Sequence, residues 1–487
     1  MTETNTQVDT VDLQLLIDGQ WVAGTGRELE SSSPTNPEQL LAAGGTATED
    51  DVRAAMKAAR TAAPGWAAMP MAERGGYLTR AAAIITANAD AWGTELAQEE
   101  GKTFTEGRGE VLRAAQIFTY YAAESDRLAG EVFSSPRRGE QILVTRKPLG
   151  VIGVITPFNF PIAIPAWKIA PALVFGNTVV WKPASTVPLL ALRLAQALVE
   201  AGLPAGVLNL VIGSGSLGDT IVNHPDLDGL TFTGSTGVGR MLAAAAAGAG
   251  VPIQAEMGGK NASVVLNDAD LELATEQVLF GAFRSTGQKC TATSRLVLQE
   301  EIADEFLARL TERLNDWKTG DPTDPSVHMG PVVSGSAAAE IRANIEASIA
   351  QGAQLRFSGQ ISGRSDAFVA PTVLEIPAGE ENISWREEFF GPVLAVRRAA
   401  TVAEAFELAN DSEYGLSCAV FTQDLTQALA AMECLDVGIL HVNSESAGAD
   451  PHVPFGGAKK SGYGPKEQGA AAKEFFTHTT TVYLRGA

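Results

Sequence analysis

Cysteine and histidine are scarce in this sequence, and neither is arranged in pairs. The 487 residues include three cysteines, at positions 290, 418 and 434, and five histidines. An odd number of unpaired cysteines excludes a disulfide framework and a zinc site of the CxxC kind. The scattered histidines show no metal-ligand spacing, so we expect no metal site. So few cysteines are typical of a protein that works in a reducing compartment.

Long apolar runs and targeting segments are also lacking. The longest apolar stretch, 161–176, is interrupted by three prolines and Lys168 and is shorter than a bilayer requires. Residues 1–10 have neither the basic start nor the apolar stretch of a signal peptide. We therefore expect a soluble, cytoplasmic protein that has no membrane partner.

Positive charge is in short supply, because 36 Lys and Arg face 57 Asp and Glu and give a formal net charge of −21. Such a balance argues against nucleic acid as the main partner, although it does not exclude a local basic pocket. The hydrophobic fraction of 45% is ordinary for a globular protein, and the length predicts two or three domains.

Alternating patterns along the chain predict an α/β fold. Alanine-rich helices are expected at 48–65, 72–90 and 94–127, the first of them with a capped start at Thr48. Short apolar runs then alternate with helical stretches, which predicts βαβ units and a parallel sheet covered on both faces. These strands are Val151–Ile155, Thr178–Trp181, Val207–Ile212 and Leu230–Thr233. A second α/β series follows Glu256, and lone strands are expected at Ile142–Lys147 and Glu474–Leu484.

Two glycine-rich turns compete as a dinucleotide-binding loop. Gly213–Gly218 matches G-x-G-x-x-G after an apolar run and before a helical stretch, but chance matches are frequent in a chain with 49 glycines. Phe232–Gly239 ends a strand in small residues with two hydroxyls and begins a helix near Ser235, so its N–H groups could hold a diphosphate. Ser235 could equally be an ordinary helix cap. From the residues alone both turns stay open.

Cys290 and Glu256 are the candidate catalytic pair. A thiolate can add to an electrophilic carbon, and a carboxylate can deprotonate a thiol or a water. Glu256 stands beside Gly258 and Gly259, which permit close approach of a backbone or a ligand. Taken alone, a free cysteine is more often an inert core residue than a nucleophile.

Seven ordered motifs resemble the aldehyde dehydrogenase superfamily from about Leu15 to Leu484. They are Ile155–Pro161, Trp181–Ser185, Phe232–Thr236, Glu256–Asn261, Gly287–Cys290, Glu388–Pro392 and Pro454–Gly457. The resemblance implies an α/β fold of the aldehyde dehydrogenase type, with a Rossmann-type cofactor domain (1–122 and 147–256), an α/β catalytic domain (257–465) and a small β oligomerisation arm (123–146 and 466–487). A homodimer or homotetramer is expected.

The resemblance also implies roles for individual residues. Cys290 matches the nucleophile, Glu256 the general base, Asn159 the side-chain oxyanion donor and Glu467 a secondary proton-relay group. In this family Phe232–Gly239 provides the diphosphate loop, and Gly213–Gly218 becomes a neighbouring turn. The residues expected to bind the cofactor are Thr156, Pro157, Lys182, Ser185, Gly215, Gly234, Ser235, Glu388 and Phe390. The residues expected to bind the aldehyde are Arg284, Phe160 and Trp167.

Two departures from the family pattern affect these expectations. Many NAD-specific members have an acidic residue where Ser185 stands, and serine removes a charge that would repel a 2′-phosphate. We therefore expect NADP to be accepted, with NAD use still open. The segment Lys460–Glu467 has one residue more than the usual spacing, which weakens the assignment of Glu467.

Within the superfamily, the sequence around Cys290 is most similar to that of α-ketoglutarate semialdehyde (2,5-dioxopentanoate) dehydrogenases. Arg284 would grip the distal carboxylate of such a substrate in a planar, bidentate way. Alternatively, Arg284 is structural and paired with a nearby acid. Succinate semialdehyde and aromatic aldehydes stay open as substrates, as does a non-catalytic homologue, and the loop 443–450 is expected to close the pocket. The presence of Glu256 favours hydrolysis to the free acid over transfer to coenzyme A.

Overall fold

The first part of the chain consists of short strands followed by four helices. The computed structural model describes residues 10–486, so the expectation about a signal peptide lies almost wholly outside the described residues. The strands are β1 (Val11–Asp12), β2 (Leu15–Ile17), β3 (Gln20–Val22), β4 (Glu28–Ser32) and β5 (Leu40–Gly45). The helices are α1 (Glu49–Ala68), α2 (Met71–Ala87), α3 (Ala89–Glu100) and α4 (Phe104–Ala122), and a 3-10 turn spans Ala123–Asp126.

Capping boxes begin two of these helices. Thr48 and Asp51 exchange side-chain and backbone hydrogen bonds at the start of α1, which confirms the predicted capped turn. Thr103 and Glu106 do the same at the start of α4. The helix predicted over 94–127 is interrupted, because Gly101 has a left-handed φ of 98° and a Cβ there would lie 2.7 Å from the carbonyl oxygen of Pro331.

The middle of the chain alternates strands and helices, as predicted. After β6 (Glu131–Ser134) and β7 (Glu140–Pro148), the elements are β8 (Val151–Ile155), α5 (Ala163–Val174), β9 (Thr178–Lys182), α6 (Leu189–Glu200), β10 (Leu208–Leu210), α7 (Leu217–Val222), β11 (Gly229–Thr233), α8 (Thr236–Ala249) and β12 (Ile253–Glu256). They form an eight-stranded sheet of order β12-β11-β8-β9-β10-β2-β3, with one further strand beyond β12. The five central strands are parallel and fully buried, which matches their continuous apolar composition.

A second sheet follows Glu256. Its elements are β13 (Asn261–Val265), α9 (Leu271–Phe283), β14 (Thr293–Gln299), α10 (Glu300–Asn315), α11 (Gly335–Ala350), β15 (Gln354–Ser358), β16 (Thr372–Glu375), α12 (Ile383–Arg386), β17 (Val393–Ala399), α13 (Val402–Asn410), β18 (Tyr414–Gly415), β19 (Ser417–Phe421), α14 (Leu425–Cys434) and β20 (Ile439–Val442). The strand order is β15-β16-β17-β14-β13-β19-β20, and all the pairs except β15 with β16 are parallel. Each of the two large sheets has its own hydrophobic core, so the predicted α/β fold is confirmed.

The last segment joins distant parts of the chain. It contains β21 (Ala458–Lys459), β22 (Gly462–Tyr463), α15 (Ala471–Phe476) and β23 (Thr477–Arg485). The strand β22 extends the eight-stranded sheet beside β12, while β23 pairs with β7 and β7 with β6 in a separate antiparallel sheet. The strand predicted over Glu474–Leu484 is wrong in its first three residues, which belong to α15. Among the described residues, no helix is both long and apolar enough to cross a membrane.

Candidate active site

The parallel strands of the first sheet bring several candidate residues to one edge. Register pairs Ile155 with Lys182 and Thr233 with Glu256, so the residues that follow these strands lie near one another. Carboxyl ends of parallel strands are where α/β folds bind ligands. Cys290 reaches this region from the second sheet, after α9. A cavity of about 300 Å³ lies over it and is lined by the predicted residues Cys290, Arg284, Phe160 and Trp167.

A strained turn precedes Cys290. Ser285 and Thr286 have left-handed φ angles of 52° and 54°, and Gly287 follows with 69°. Non-glycine residues held there cost about 1–3 kcal/mol each and persist only where the surroundings impose them. A Cβ on Gly287 would lie 2.2 Å from the carbonyl oxygen of Gly391, so only glycine fits. The turn is therefore held by its neighbours, as is common where a reactive side chain must be placed.

The surroundings of Cys290 favour the protonated thiol over the thiolate. Burial raises its pKa to about 12, and the negative charges of Glu388, Glu256 and Glu467 add to the effect. A thiol is a far weaker nucleophile than a thiolate. The site therefore needs a base that takes the proton as the sulfur reacts.

Glu256 is the last residue of β12 and is 4% exposed. Its Oε2 accepts a hydrogen bond of 3.2 Å from the Gly457 N–H, and a Cβ on Gly456 would lie 2.3 Å from Oε1. Burial, followed by repulsion from Glu467, raises the pKa of Glu256 well above its usual range, against the attraction of Lys466. A raised pKa makes this carboxylate a stronger base.

Glu467 forms a buried ion pair with Lys168. Lys168 is fully buried in α5, and its Nζ also donates to Thr231 Oγ1 at 2.9 Å. Burial raises the pKa of Glu467, and the adjacent Lys168 opposes that rise. The predicted relay residue thus lies inside the protein at the edge of the site, where its charge reaches Glu256 and Cys290. Sequence analysis noted Lys168 only as an interruption of an apolar stretch; the missed signal is that a lysine inside a wholly apolar helix needs a buried acid.

Asn159, the predicted oxyanion donor, is held on both sides. Its Nδ2 donates to the backbone oxygen of Gln288 at 2.9 Å, which ties it to the turn that carries Cys290. The backbone carbonyl of Asn159 accepts a hydrogen bond from Lys102 Nζ at 2.7 Å. Lys102 is also 2.7 Å from Glu110 Oε2, so the loop after β8 is anchored to α4.

Two carboxylates on α4 accept hydrogen bonds from the loop after β8 and from the turn before Cys290. Glu110 Oε1 accepts from the N–H groups of Ile162 and Ala163 at 3.1 Å each, and Glu106 Oε1 accepts from the Ser285 N–H at 2.7 Å. Neither Glu106 nor Glu110 was among the predicted site residues. The available signal was the capping-box pattern from Thr103 to Glu106, with Glu110 one helical turn further on the same face.

The residues predicted to lie near the adenosine ribose are at the ends of two adjacent strands, β8 and β9. Thr156 Oγ1 accepts from Trp181 Nε1 at 2.9 Å, and Pro157 follows it, partly exposed. Lys182 is 6% exposed, its Nζ donates to the Pro183 carbonyl at 3.2 Å, and burial lowers its pKa to about 8. Ser185 is partly exposed.

The start of α8 has the features of a diphosphate-binding site and lacks the side-chain hydrogen bond of an ordinary helix cap. Ser235 is the N-cap residue, but its hydroxyl makes no capping hydrogen bond, and the buried hydroxyl of Thr233 makes no hydrogen bond to the described residues. A Cβ on Gly237 would meet nothing within 4 Å, so the space is open. Free N–H groups and hydroxyls around open space suit a phosphate. By contrast, the Gly213–Gly218 turn, which includes Gly215, leads into the six-residue helix α7.

Glu388 lies beside the segment that follows Glu256. Its Oε1 accepts from the Gly259 N–H at 3.0 Å, and burial raises its pKa to about 7. Phe390 has a left-handed φ of 51°, and its ring stands edge-on to Phe158 at a centroid distance of 5.7 Å. These residues, the free helix start and the strand ends form a donor set that fits a nicotinamide dinucleotide.

The predicted substrate residues line the cavity over Cys290. The Arg284 guanidinium is 43% exposed, lies 3.6 Å from the Phe280 ring centroid and is 3.8 Å from Glu445 Oε1. The acid that a structural arginine would pair with is therefore present, at a distance longer than a hydrogen bond. Trp167 packs against Phe455 at 5.6 Å, and Lys102 Nζ lies 4.2 Å from the Phe160 ring centroid.

The loop 443–450, which the sequence predicts to close the pocket, contributes to the wall of the same cavity. Glu445, Ala447, Gly448 and Ala449 line the cavity. A second guanidinium, Arg113, also lines it and is 3.0 Å from Asp450 Oδ1.

Comparison with known proteins gives concordant matches over nearly the whole chain. The family model described as "Aldehyde dehydrogenase family" matches residues 21–482. An alpha-ketoglutaric semialdehyde dehydrogenase of Bacillus subtilis (strain 168) is 40% identical over 491 residues, covering 100% of this chain and 99% of the relative. An alpha-ketoglutarate semialdehyde dehydrogenase of Haloferax volcanii is 40% identical over 474 residues, covering 96% and 98%. The crystal structure of an NAD-dependent aldehyde dehydrogenase from Sinorhizobium meliloti superposes with a TM-score of 0.95 at 33% identity, covering 100% of this chain and 97% of that one.

Proposed function

Because the chain belongs to the aldehyde dehydrogenase family, we propose that the cavity over Cys290 is its active site and that α-ketoglutarate semialdehyde (2,5-dioxopentanoate) is its substrate. The chain is an NAD(P)-dependent aldehyde dehydrogenase.

In the first step Cys290 Sγ adds to the aldehyde carbon while its proton passes to Glu256. The raised pKa of Glu256 suits it to accept this proton, and the raised pKa of the thiol requires such a base. The aldehyde oxygen becomes an oxyanion that accepts from Asn159 Nδ2 and the Cys290 N–H. Asn159 can donate to it while keeping its bond to Gln288, because its amide has a second hydrogen.

A bound nicotinamide dinucleotide would supply the hydride acceptor, so that the carbon attached to Cys290 Sγ would lose its hydride as the oxyanion collapses. Cys290 then carries a thioester, and Glu256 deprotonates the water that attacks it. The product acid leaves and the thiol is restored. Glu256 must first release the proton taken from Cys290, and Glu467, whose carboxylate is paired with Lys168 and electrostatically coupled to Glu256, would accept it before Glu256 acts on the water.

Cofactor binding follows the edge of the first sheet. Lys182 and Ser185 would contact the adenosine ribose, with Thr156 and Pro157 forming the floor and Gly215 lying at the neighbouring turn. Gly234 and Ser235 would hold the diphosphate. Glu388 would accept from the nicotinamide ribose hydroxyls, with Phe390 beside it. Since Ser185 brings no negative charge to the 2′-position, we propose that NADP is used as well as NAD.

The position of Arg284 in the cavity is the observation that supports the substrate assignment. Arg284 carries one of two guanidinium groups that line the cavity, and it would bind a distal carboxylate while Phe160 and Trp167 enclose the apolar part of the aldehyde. The names of two 40%-identical relatives point to the same aldehyde.

A panel of aldehydes assayed with NAD and NADP tests the proposal. We expect the highest kcat/KM with α-ketoglutarate semialdehyde, lower values with succinate semialdehyde and the lowest with a neutral aromatic aldehyde. Arg284→Ala should raise KM for the two acids by roughly 10- to 150-fold, since one charge-assisted hydrogen bond contributes about 1.5–3 kcal/mol, and should leave the aromatic aldehyde nearly unchanged. Equal effects on acidic and neutral aldehydes would contradict the carboxylate role, and activity in Cys290→Ala would contradict the catalytic assignment.

We further propose that the enzyme acts in the cytoplasm as a homodimer or homotetramer, assembled through the sheet of β6, β7 and β23. Large apolar side chains are exposed on this sheet, including Phe133 at 49% and Tyr483 at 58%. Light scattering of the wild type and of the double variant Phe133→Ser/Tyr483→Ser tests this role. An unchanged mass would contradict it.

A further inference from the structure

Glu106 divides its two carboxylate oxygens between a helix and a loop. Oε2 accepts from the Thr103 backbone N–H at 3.1 Å and from Thr103 Oγ1 at 2.8 Å, which completes the capping box of α4. Oε1 points away from the helix and accepts from the Ser285 N–H at 2.7 Å and from Ser285 Oγ at 3.3 Å. A capping box requires only the first set of contacts, so the second set has no function in the helix.

The Ser285 end of the turn depends on this contact. Ser285 is the first of three consecutive left-handed residues, and Glu106 accepts the hydrogen bonds of both its backbone and its side chain. The other end of the turn is fixed at Gln288, whose Oε1 accepts from the Val333 N–H at 3.0 Å and whose carbonyl accepts from Asn159. Cys290 follows two residues later. The position of its sulfur is therefore set by anchors at both ends of a turn that would not hold its shape unaided.

The carboxylate acts on Cys290 through position and not through its own charge. Glu106 lines the same cavity as Cys290. However, the charges that weigh most on the pKa of the Cys290 thiol are those of Glu388, Glu256 and Glu467. The contacts of Glu106 are with the backbone and hydroxyl of Ser285 and with the helix cap.

We propose that Glu106 is a positioning residue, which clamps the turn Ser285–Gly287 to the start of α4 and so places Cys290 beside the Asn159 amide. This inference rests on the proposed role of Cys290 as the nucleophile. The clamp makes the hydride-transfer step depend on a carboxylate whose two oxygens are already engaged by Thr103 and Ser285.

Three variants separate this role from an ordinary helix cap. Glu106→Ala removes both sets of contacts, whereas Thr103→Ala removes the side-chain half of the cap and leaves the link to Ser285. Glu106→Gln keeps an oxygen that can accept from the Ser285 N–H. Because a misplacement of about 1 Å can cost roughly 100-fold in rate, we expect Glu106→Ala to lower kcat and the single-turnover rate of NADH formation by roughly 10- to 100-fold. The aldehyde KM should change by less than about threefold, since the lost contacts do not bind substrate.

The matched variants should behave differently. Glu106→Gln should recover most of the single-turnover rate. Thr103→Ala should lower the thermal midpoint about as much as Glu106→Ala does, while its kcat stays within about twofold of the wild type. A Glu106→Ala enzyme with unchanged kcat, a change confined to KM, or an equal loss of kcat in Thr103→Ala would each overturn the inference. Loss of activity in Cys290→Ala, measured alongside, shows that such a failure concerns the clamp and not the nucleophile.

Discussion

Replacing Gly258 by alanine should displace the carboxylate of Glu388 while leaving the fold intact. A Cβ built on Gly258 lies 2.1 Å from Glu388 Oε2 and 2.8 Å from its carboxyl carbon. Non-bonded atoms need more than about 3 Å, so the carboxylate must move by roughly 1 Å. Gly258 has no left-handed φ, so alanine can adopt its backbone conformation. The atoms that must give way are the end of a flexible side chain.

The size of the effect follows from the hydrogen bonds that Glu388 makes. The move breaks the 3.0 Å bond from the Gly259 N–H and misaligns the carboxylate with the nicotinamide ribose that it is proposed to hold. One hydrogen bond to a charged group contributes about 1.5–3 kcal/mol, which corresponds to a rise in the Kd for NAD of roughly 10- to 150-fold. The free energy of unfolding should change by about 1 kcal/mol or less, because no backbone strain and no cavity is created.

Calorimetric titration with NAD and a thermal melt of the same samples check this prediction. Gly65→Ala is the matched control, since Gly65 lies in α1 and a Cβ there meets nothing within 4 Å. The control should bind NAD like the wild type and gain about 0.5–1 kcal/mol in stability, as glycine is a poor helix former. An unchanged Kd for NAD in a folded Gly258→Ala protein would refute the reasoning about Glu388.

Three further outcomes are expected. Since burial raises the pKa of Glu388 to about 7, its carboxylate takes up a proton as the pH falls through 7; NAD affinity should weaken over that range, and a titration of Glu388→Gln should lack this pH dependence. Lys168→Met leaves Glu467 buried without its partner and should lower the free energy of unfolding by about 3–5 kcal/mol in a denaturant titration, whereas Lys168→Met/Glu467→Leu should recover most of it. A double variant as unstable as the single one would contradict this account of the pair. Ser185→Glu should lower the ratio of kcat/KM with NADP to that with NAD by roughly tenfold, because a carboxylate repels the 2′-phosphate; an equal ratio would show that Ser185 does not face that phosphate.

The fold could be predicted because its signals are local. Alternating apolar runs and helical stretches between Val151 and Glu256 are enough to indicate parallel strands with crossover helices. The break at Gly101 was missed although the capping-box pattern from Thr103 to Glu106 marks a new helix start; only the structure shows that the carbonyl of Pro331, more than 200 residues away, leaves no room for a side chain at Gly101. The residues near Glu474 also do not indicate that the helix α15 precedes β23, the strand that pairs with β7.

The sequence predicts which residues form the site, but it does not predict the distant side chains that hold those residues in place. The motif around Cys290 names the nucleophile, yet the left-handed turn before it depends on Glu106, which lies on a distant helix. The buried pairing of Lys102 with Glu110 could not be predicted, because charged residues are usually solvated and only the fold brings these two together. The hydroxyl of Ser235 illustrates the opposite case: its residue type suits a helix cap, and only the structure leaves it free for a ligand.

Arg113 and Arg284 line the cavity of a chain whose net charge is −21, and this contrast affects how fast anions are captured. At long range an anionic aldehyde meets a repelling field, while the two guanidinium groups attract it only over a few ångströms. Added salt shortens the Debye length from about 30 Å at 0.01 M to about 8 Å at 0.15 M, which screens the distant carboxylates more than the nearby arginines. The bimolecular association rate should therefore rise with ionic strength, in the opposite sense to an enzyme that steers its substrate inward.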